Sequence, residues 1–239
     1  MKAVNAREPD TSAPSVDRKT ALGQSLRKRI LSMELAPGAV LDETALSEEF
    51  GMSRPPVREL LRQMAAEGYI ELEANRAPRV SSMSHQTLRS YFLAAPLIYV
   101  ATTKLAALNA TRAELEDLKL IQKKFRRAVD EGDVDGRVFY NDQFHYAIGK
   151  MAHNPYLLPS LSRLLIDHAR LGKTFYQVLD AGMQEDLDEA ANQHDEIIAA
   201  LERRDGDAAE QIVRAHIDLA RRRMSMYAAP EGVEVQLDI

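Results

Sequence analysis

The stretch Ala45-Leu46-Ser47-Glu48-Glu49-Phe50-Gly51-Met52-Ser53-Arg54-Pro55-Pro56-Val57-Arg58-Glu59-Leu60-Leu61, continued by Ala65-Ala66-Glu67-Gly68, decides the fold. Leu46 and Phe50 lie one helical turn apart and predict a short helix with both turned inward, capped at its start by Asp42. Gly51 breaks it, and Ser53 is the kind of residue that opens the next helix. Pro55 and Pro56 would disrupt a helix interior, but in a first turn their missing N–H groups cost little. The second helix therefore runs from Arg54 to about Glu67 and buries Val57, Leu60, Leu61 and Met64, and Gly68 suits a left-handed residue just past its end.

On the N-terminal side, a helical pattern from Thr20 places Leu22, Leu26, Ile30 and Met33 on one face, and Pro37 and Gly38 end it. The apolar pair Val40-Leu41 follows. On the C-terminal side, Tyr69-Ile70-Glu71-Leu72 alternates as a strand, Glu73 to Arg76 reads as a turn, and Arg79-Val80 starts a return strand. Helix, helix, tight turn, helix and hairpin make a winged helix-turn-helix.

Beyond Ser81-Ser82 the chain reads as helix throughout. Six helices are expected, over about 85–109 (kinked at Pro96), 112–132, 135–152, 155–178, 183–204 and 207–227. The breaks at Asn109-Ala110-Thr111, Gly132-Asp133, His153-Asn154-Pro155, Asp180-Ala181-Gly182 and Asp205-Gly206-Asp207 are short, which favours antiparallel neighbours in a bundle. The expected class is mainly α, a winged helix-turn-helix followed by an all-helical antiparallel bundle. The expected division is a disordered tail over 1–17, a DNA-binding domain over 18–83, an effector-binding and dimerisation domain over 84–229, and a tail over 230–239.

Composition excludes several chemistries. None of the 239 residues is cysteine, so disulfides, iron–sulfur clusters, zinc-thiolate sites and thiol nucleophiles are absent. The longest nearly apolar run, Phe92 to Ala101, is too short to span a bilayer and contains Pro96. Residues 1–17 carry Lys2 and Arg7 without an apolar stretch, which is not the pattern of a secretory signal. A cytoplasmic protein without membrane attachment is expected. The net charge of −5 hides an asymmetry: residues 1–85 hold 12 basic and 12 acidic side chains, while residues 86–239 hold 19 and 24. A nucleic-acid reader in the first part must rely on a local basic patch.

Such a patch exists. Arg54, Arg58 and Arg62 follow one another at i, i+4 spacing and share one solvent face. Arginine's planar fork pairs bidentately with guanine O6 and N7 in a major groove. Arg76 lies at the hairpin tip, within reach of phosphate or the minor groove. Ser53, at the helix start, could bond phosphate through its hydroxyl and the exposed N–H groups. The segment from Ala45 to Gly68 resembles the signature of the GntR-type bacterial transcriptional regulators, and the resemblance extends over residues 20–83. It implies DNA contact by Thr44, Ser53, Arg54, Pro56, Arg58, Arg62, Asn75 and Arg76. Two positions depart from the family pattern: Thr44 stands where some members carry arginine, and Asn75-Arg76-Ala77 lacks the usual wing glycine.

Six histidines are present: His85, His145, His153, His168, His194 and His216. Three fall on stripes that should be buried. His145 follows Asn141 by one turn and shares a face with Val138 and Ile148; His194 sits with Ala190, Ile197 and Leu201; His216 aligns with Ile212 and Leu219. Imidazoles turned inward from three helices, with an amide oxygen, could converge on one divalent metal, and Asp195 or Asp142 could orient the ring nitrogens left over. His153 and His168 read as ordinary structural histidines. Asn141-Asp142-Gln143-Phe144-His145, Asn154, His194-Asp195-Glu196-Ile197-Ile198-Ala199-Ala200-Leu201, Gly206-Asp207 and His216 resemble the FCD ligand-binding domain of the FadR subfamily, over about 84–228. The resemblance implies metal ligation by Asn141, His145, His194 and His216, with asparagine where the family usually has aspartate. It also implies a small organic acid beside the metal. Tyr99, Arg163 and Arg170 are candidates for contact with that acid.

The leading expectation is a homodimeric, non-enzymatic DNA-binding regulator, a repressor, that binds a palindromic double-stranded operator. A divalent metal such as zinc or nickel and a carboxylic-acid effector would control it. Two alternatives stand beside this: a metal sensor without organic effector, and a metal-dependent hydrolase or lyase with a DNA-binding appendage, for which Asp142 and Glu196 are the nearest carboxylates in sequence.

Overall fold

The computed structural model describes residues 15–175 and 181–228. The expected C-terminal tail lies outside the described residues, as does all but the end of the N-terminal one. The chain forms α1 (Ser15–Leu31), α2 (Glu43–Glu49), α3 (Arg54–Glu67), β1 (Ile70–Glu71), β2 (Arg79–Val80), α4 (His85–Asn109), α5 (Arg112–Asp130), α6 (Val134–Met151), α7 (Leu157–Phe175), α8 (Ala181–Glu202) and α9 (Gly206–Ala228). It is mainly helical, with the helix-turn-helix first and a helical bundle after it.

The first unit is built as the apolar spacing dictates. Leu22, Leu26 and Ile30 of α1 close over Leu46, Val57, Leu60, Leu61 and Met64, with Ile70 and Val80 of the hairpin completing the core. The Asp42 carboxylate accepts from the amides of Thr44 and Ala45 and starts α2. Ser53 takes the N-cap position of α3, but its hydroxyl makes no capping bond. A cap bonds the second or third helical amide, and those positions are Pro55 and Pro56, which have none. The same prolines leave fewer amides there for a phosphate than expected. At the other end Gly68 has φ +93°, and a Cβ there would lie 2.1 Å from Arg163 Cδ of α7. That position needs glycine both for its conformation and for the close approach of α7.

β1 and β2 pair antiparallel, Ile70 with Val80 and Glu71 with Arg79, and Val40 bridges to Arg79 on the other side. Asn75 takes the left-handed turn conformation at φ +61°. Asparagine tolerates that region because its short side chain bonds locally, so the wing turns without a glycine.

α4 runs as one continuous helix through Pro96. By length and hydropathy it could cross a bilayer, with mean hydropathy 1.5 over its best 18 residues. Alanines and threonines carry the helix well beyond the ten-residue apolar run. It serves instead as the central helix of the bundle, packed on α6, α7, α8 and α9, while α5 covers α6 and α8. Tyr91, Ala95, Tyr99 and Ala106 of α4 meet Phe144, Ile148, Leu161, Leu165, Ile197, Leu201 and Val213 in one core. Thr111 and Glu114 form a reciprocal capping box that starts α5.

Candidate functional site

The arginine face of α3 is open to solvent. Val57, Leu60, Leu61 and Met64 are buried, which turns Arg54, Arg58 and Arg62 outward, all exposed. Arg58 Nε donates to a Glu43 carboxylate oxygen at 2.6 Å, and Arg76 pairs with Glu73 across the wing turn. Such exposed pairs are worth little and exchange readily for another anion. Between α3 and the wing lies a groove of about 600 Å³, lined by Arg58, Arg62, Asn75 and Arg76. Ser53 is exposed and Thr44 half-buried.

The second site is buried in the bundle. His145 of α6, His194 of α8 and His216 of α9 bring their ligand atoms within 4.8 Å of one another. The imidazoles of His145 and His216 are 5.2 Å apart between centroids, and those of His194 and His216 4.7 Å. Phe144 stacks on His194 at 3.8 Å and walls the cluster. Burial holds His145 and His194 well below the usual histidine pKa and lowers His216 to about 3, with neighbouring imidazoles, His168 in all three cases, adding to the effect. All three are neutral at pH 7, the form that binds metal.

Two glutamines fix which nitrogen is free. Gln122 of α5 donates to the Ala191 carbonyl at 2.8 Å, so its amide oxygen faces His194 Nδ1 at 3.0 Å and must accept from it. Gln193 likewise donates to Glu189 at 2.9 Å and accepts from His216 Nδ1 at 3.0 Å. With Nδ1 protonated, the lone pair of both rings sits on Nε2. The Nε2 atoms of His145 and His194 are buried without a hydrogen-bond partner. A buried nitrogen with no partner costs stability, and a shared metal ion would satisfy both. Three neutral imidazoles suit zinc, nickel, copper or iron. The residues fit the group. Asn141 is buried one turn before His145 on the same face of α6.

The orienting residues are not the carboxylates expected. Asp195 pairs with Arg126 on the surface, and Asp142 turns away from the cluster towards the first unit. Gln122 was visible only as a polar residue on an otherwise apolar stripe with Leu118 and Phe125. Gln193 precedes a histidine and carries no pattern of its own. His168 of α7, expected to be merely structural, belongs beside the cluster. Its ring is 5.6 Å from His145, its Nδ1 lies 3.2 Å from the Tyr99 hydroxyl, and burial lowers its pKa to about 4.

Tyr99, His145, His168, His216 and Arg221 line a cavity of about 30 Å³, room for a water or two. Arg163 and Arg170 are not there. Arg170 is fully buried, donating to the Ser81 carbonyl at 2.7 Å and paired with Asp167. It ties α7 to the segment joining the two units. Arg163 bonds Asp167 at 3.1 Å and faces a cleft of about 690 Å³ between the units. Of the positively charged side chains, Arg221 lies nearest the expected role.

A DNA-reading fold joined to a helical bundle with an internal imidazole cluster defines a one-chain bacterial transcription regulator. Residues 18–80 match the bacterial regulatory proteins of the gntR family and residues 97–219 match the FCD domain. The chain belongs to the GntR family, with an FCD domain as its second part. It is 27% identical over 192 residues to the HTH-type transcriptional repressor RspR of Escherichia coli K12, covering 80% of this chain and 82% of that one. To the galactonate operon transcriptional repressor of the same organism it is 25% identical over 226 residues, covering 84% and 93%. The fold matches Escherichia coli McbR/YncC with TM-score 0.75 at 20% identity, over 89% of this chain and 99% of that one. The protein is a DNA-binding transcriptional regulator and not an enzyme, which removes the hydrolase or lyase alternative.

Proposed function

We propose that the chain is a cytoplasmic homodimeric repressor whose affinity for a palindromic operator is set by a metal-dependent ligand in its helical domain. Residues 18–83 read the operator and residues 84–229 sense and dimerise. Asn141, His145, His194 and His216 hold a divalent ion such as zinc or nickel, and a small organic or sugar acid binds beside it. The observation that carries this reading is the pair of buried Nε2 atoms on His145 and His194 with no hydrogen-bond partner among the described residues, beside His194 and His216 rings whose Nδ1 atoms are held as donors. A bound divalent ion offers open coordination positions to a carboxylate. Arg221 at the cavity wall adds a positive charge, and the Tyr99–His168 pair adds polar groups. For the dimer, α4 leaves Leu93 and Leu97, one turn apart, exposed at 39% and 69%. An exposed apolar strip on an otherwise buried helix is suited to a second copy.

The effector acts only through different affinities for two arrangements of the DNA-binding units. Thermal unfolding of chelator-stripped protein, titrated with zinc or nickel and then with a panel of carboxylic and sugar acids, tests the sensing half. The expected result is a metal-dependent rise in Tm, lost in His194→Ala, and a further rise with one class of acid. No response to metal overturns it. Gel-shift at fixed salt tests the reading half. Arg58→Ala should cost about 1–3 kcal/mol on the matched operator and much less on mismatched ones. Equal binding of both proteins to both DNAs overturns it.

A second reading, a metal sensor without organic effector, draws support from the size of the internal cavity. At about 30 Å³ it admits an acid only if α4 and α9 part. A response to metal and chelator alone, with every acid silent, selects this reading.

A further inference from the structure

We propose that the cleft between the DNA-binding and helical units is a second small-molecule site, one that takes an organic ammonium ion and holds it on the Asp142 carboxylate. It lies on α6 about 100° round the helix from the histidine cluster and takes a ligand of opposite charge to the acid proposed there.

Successive helical residues are rotated by about 100°, so α6 turns Asn141 and His145 into the bundle and Asp142 and Tyr146 towards the cleft. Asp142 Oδ1 is buried there with no hydrogen-bond partner. A buried unpaired carboxylate is costly, and native proteins supply it with a partner. The neighbouring charges are already matched. Glu67 accepts from Arg27 at 2.7 Å and from Gln63 at 2.9 Å, and Arg163 bonds Asp167 at 3.1 Å. Among the described residues, Asp142 is the one charge on the cleft wall without a counter-ion.

The cleft has the size and lining of a ligand site, about 690 Å³ with Tyr69 and Tyr146 beside Asp142 and an apolar floor that includes Leu158 and Ile166. The Arg27 guanidinium already lies over the Tyr69 ring at 5.7 Å, so this wall is a surface on which cations rest. A bare metal ion fits poorly. One carboxylate is too few for calcium, and magnesium would have to bring its other oxygens as water, for which the apolar floor offers no partners. A carbon chain ending in an ammonium group satisfies both parts. Tyr69 belongs to the DNA-binding unit and Asp142 to the helical one, so a ligand seated between them ties the two units together.

Thermal unfolding and calorimetric titration of the full chain test this, with n-butylamine and 1,4-diaminobutane as probes and n-butanol and magnesium chloride as controls. The amines should raise Tm by about 2–4 °C at ten times their Kd, with the controls silent. Asp142→Asn keeps the shape and removes the charge. It should weaken amine binding at least about tenfold. The amine response should be the same with and without chelator, so its failure is read separately from failure of the metal site. Should Asp142→Asn not fold, Tyr146→Ala at the cleft mouth should weaken the amines several-fold. No amine response overturns the proposal, as does an equal response to butanol or magnesium. So does a response that survives both substitutions.

Discussion

The two ends of this molecule treat charge in opposite ways. On α3 and the wing, arginines stand in solvent, two of them loosely held by a glutamate, Arg58 by half-buried Glu43 and Arg76 by exposed Glu73. They are always ionised and can trade those partners for a phosphate or a guanine edge at little cost. In the bundle, His145, His168, His194 and His216 are buried and neutral, and the tautomers of His194 and His216 are set by Gln122 and Gln193. The reading end depends on shape and exposure, whereas the buried histidines depend on the protonation state of groups that water does not reach. On the proposed function, one end responds to salt and the other to pH and metal.

The largest effect expected from this contrast is on stability against pH. A histidine whose folded pKa is depressed below its unfolded value of about 6.5 takes up a proton only on unfolding. It therefore withdraws stability as pH falls below that value. At pH 5.5 each of the four buried histidines costs about 1.4 kcal/mol relative to pH 8. Asp142 works the other way. Burial pushes its carboxyl up to about 7, so acidification stabilises the folded form by about 2 kcal/mol over the same interval. The net expectation for metal-free protein is a loss of about 3–4 kcal/mol between pH 8 and 5.5, measured by urea unfolding. In Asp142→Asn the offset disappears and the fall is steeper. A flat profile would mean that the imidazoles are hydrated or already protonated, and the contrast with the arginine end would fail.

A smaller effect sharpens the sensing half. Gln122→Leu keeps the volume but removes the acceptor that fixes His194 Nδ1. Loss of an orienting partner typically weakens metal affinity about 10–100-fold. Titration against a competing chelator should show that loss for nickel or zinc, with helical content unchanged by circular dichroism. An unchanged affinity would mean that His194 needs no help in choosing its tautomer.

What the sequence revealed also divides between the two ends. The helix-turn-helix was legible almost residue by residue, because it rests on local rules: period-3.6 apolar spacing, caps, and helix-ending glycines. Its errors were local as well. Ser53 does not cap, since the two prolines that mark the helix start also remove the amides a cap would bond. Asn75 replaces the missing wing glycine because it tolerates positive φ. The histidines of the cluster were legible as polar residues on apolar stripes. Their partners were not, because Gln122 and His168 come from helices distant in sequence and Gln193, although beside His194, reaches His216 on the next helix, so only packing brings the partners together. Charge was a poor guide inside the bundle for the same reason. Arg170 seemed suited to an acid but serves the joint with Ser81, and Asp142 seemed suited to a histidine but faces the cleft.

The smallest effect concerns the wing. Arg76 sits at an exposed tip, pairs only with Glu73 three residues before it, and lines the groove beside Arg58 and Arg62. If its role is to meet phosphate, Arg76→Ala should weaken matched and mismatched operators alike. It should also flatten the plot of log affinity against log salt by about one unit. If instead it enters the minor groove and senses its width, the loss should fall mainly on operators with A·T-rich flanks. Gel-shift across a salt series on both flank types distinguishes these. Arg58→Ala run beside it supplies the contrast, since a base-reading arginine on α3 should change the ratio between operators while a phosphate contact on the wing changes only the common affinity. A preserved salt slope together with preserved flank preference would leave α3 as the sole reader and reduce the wing to a brace for the hairpin.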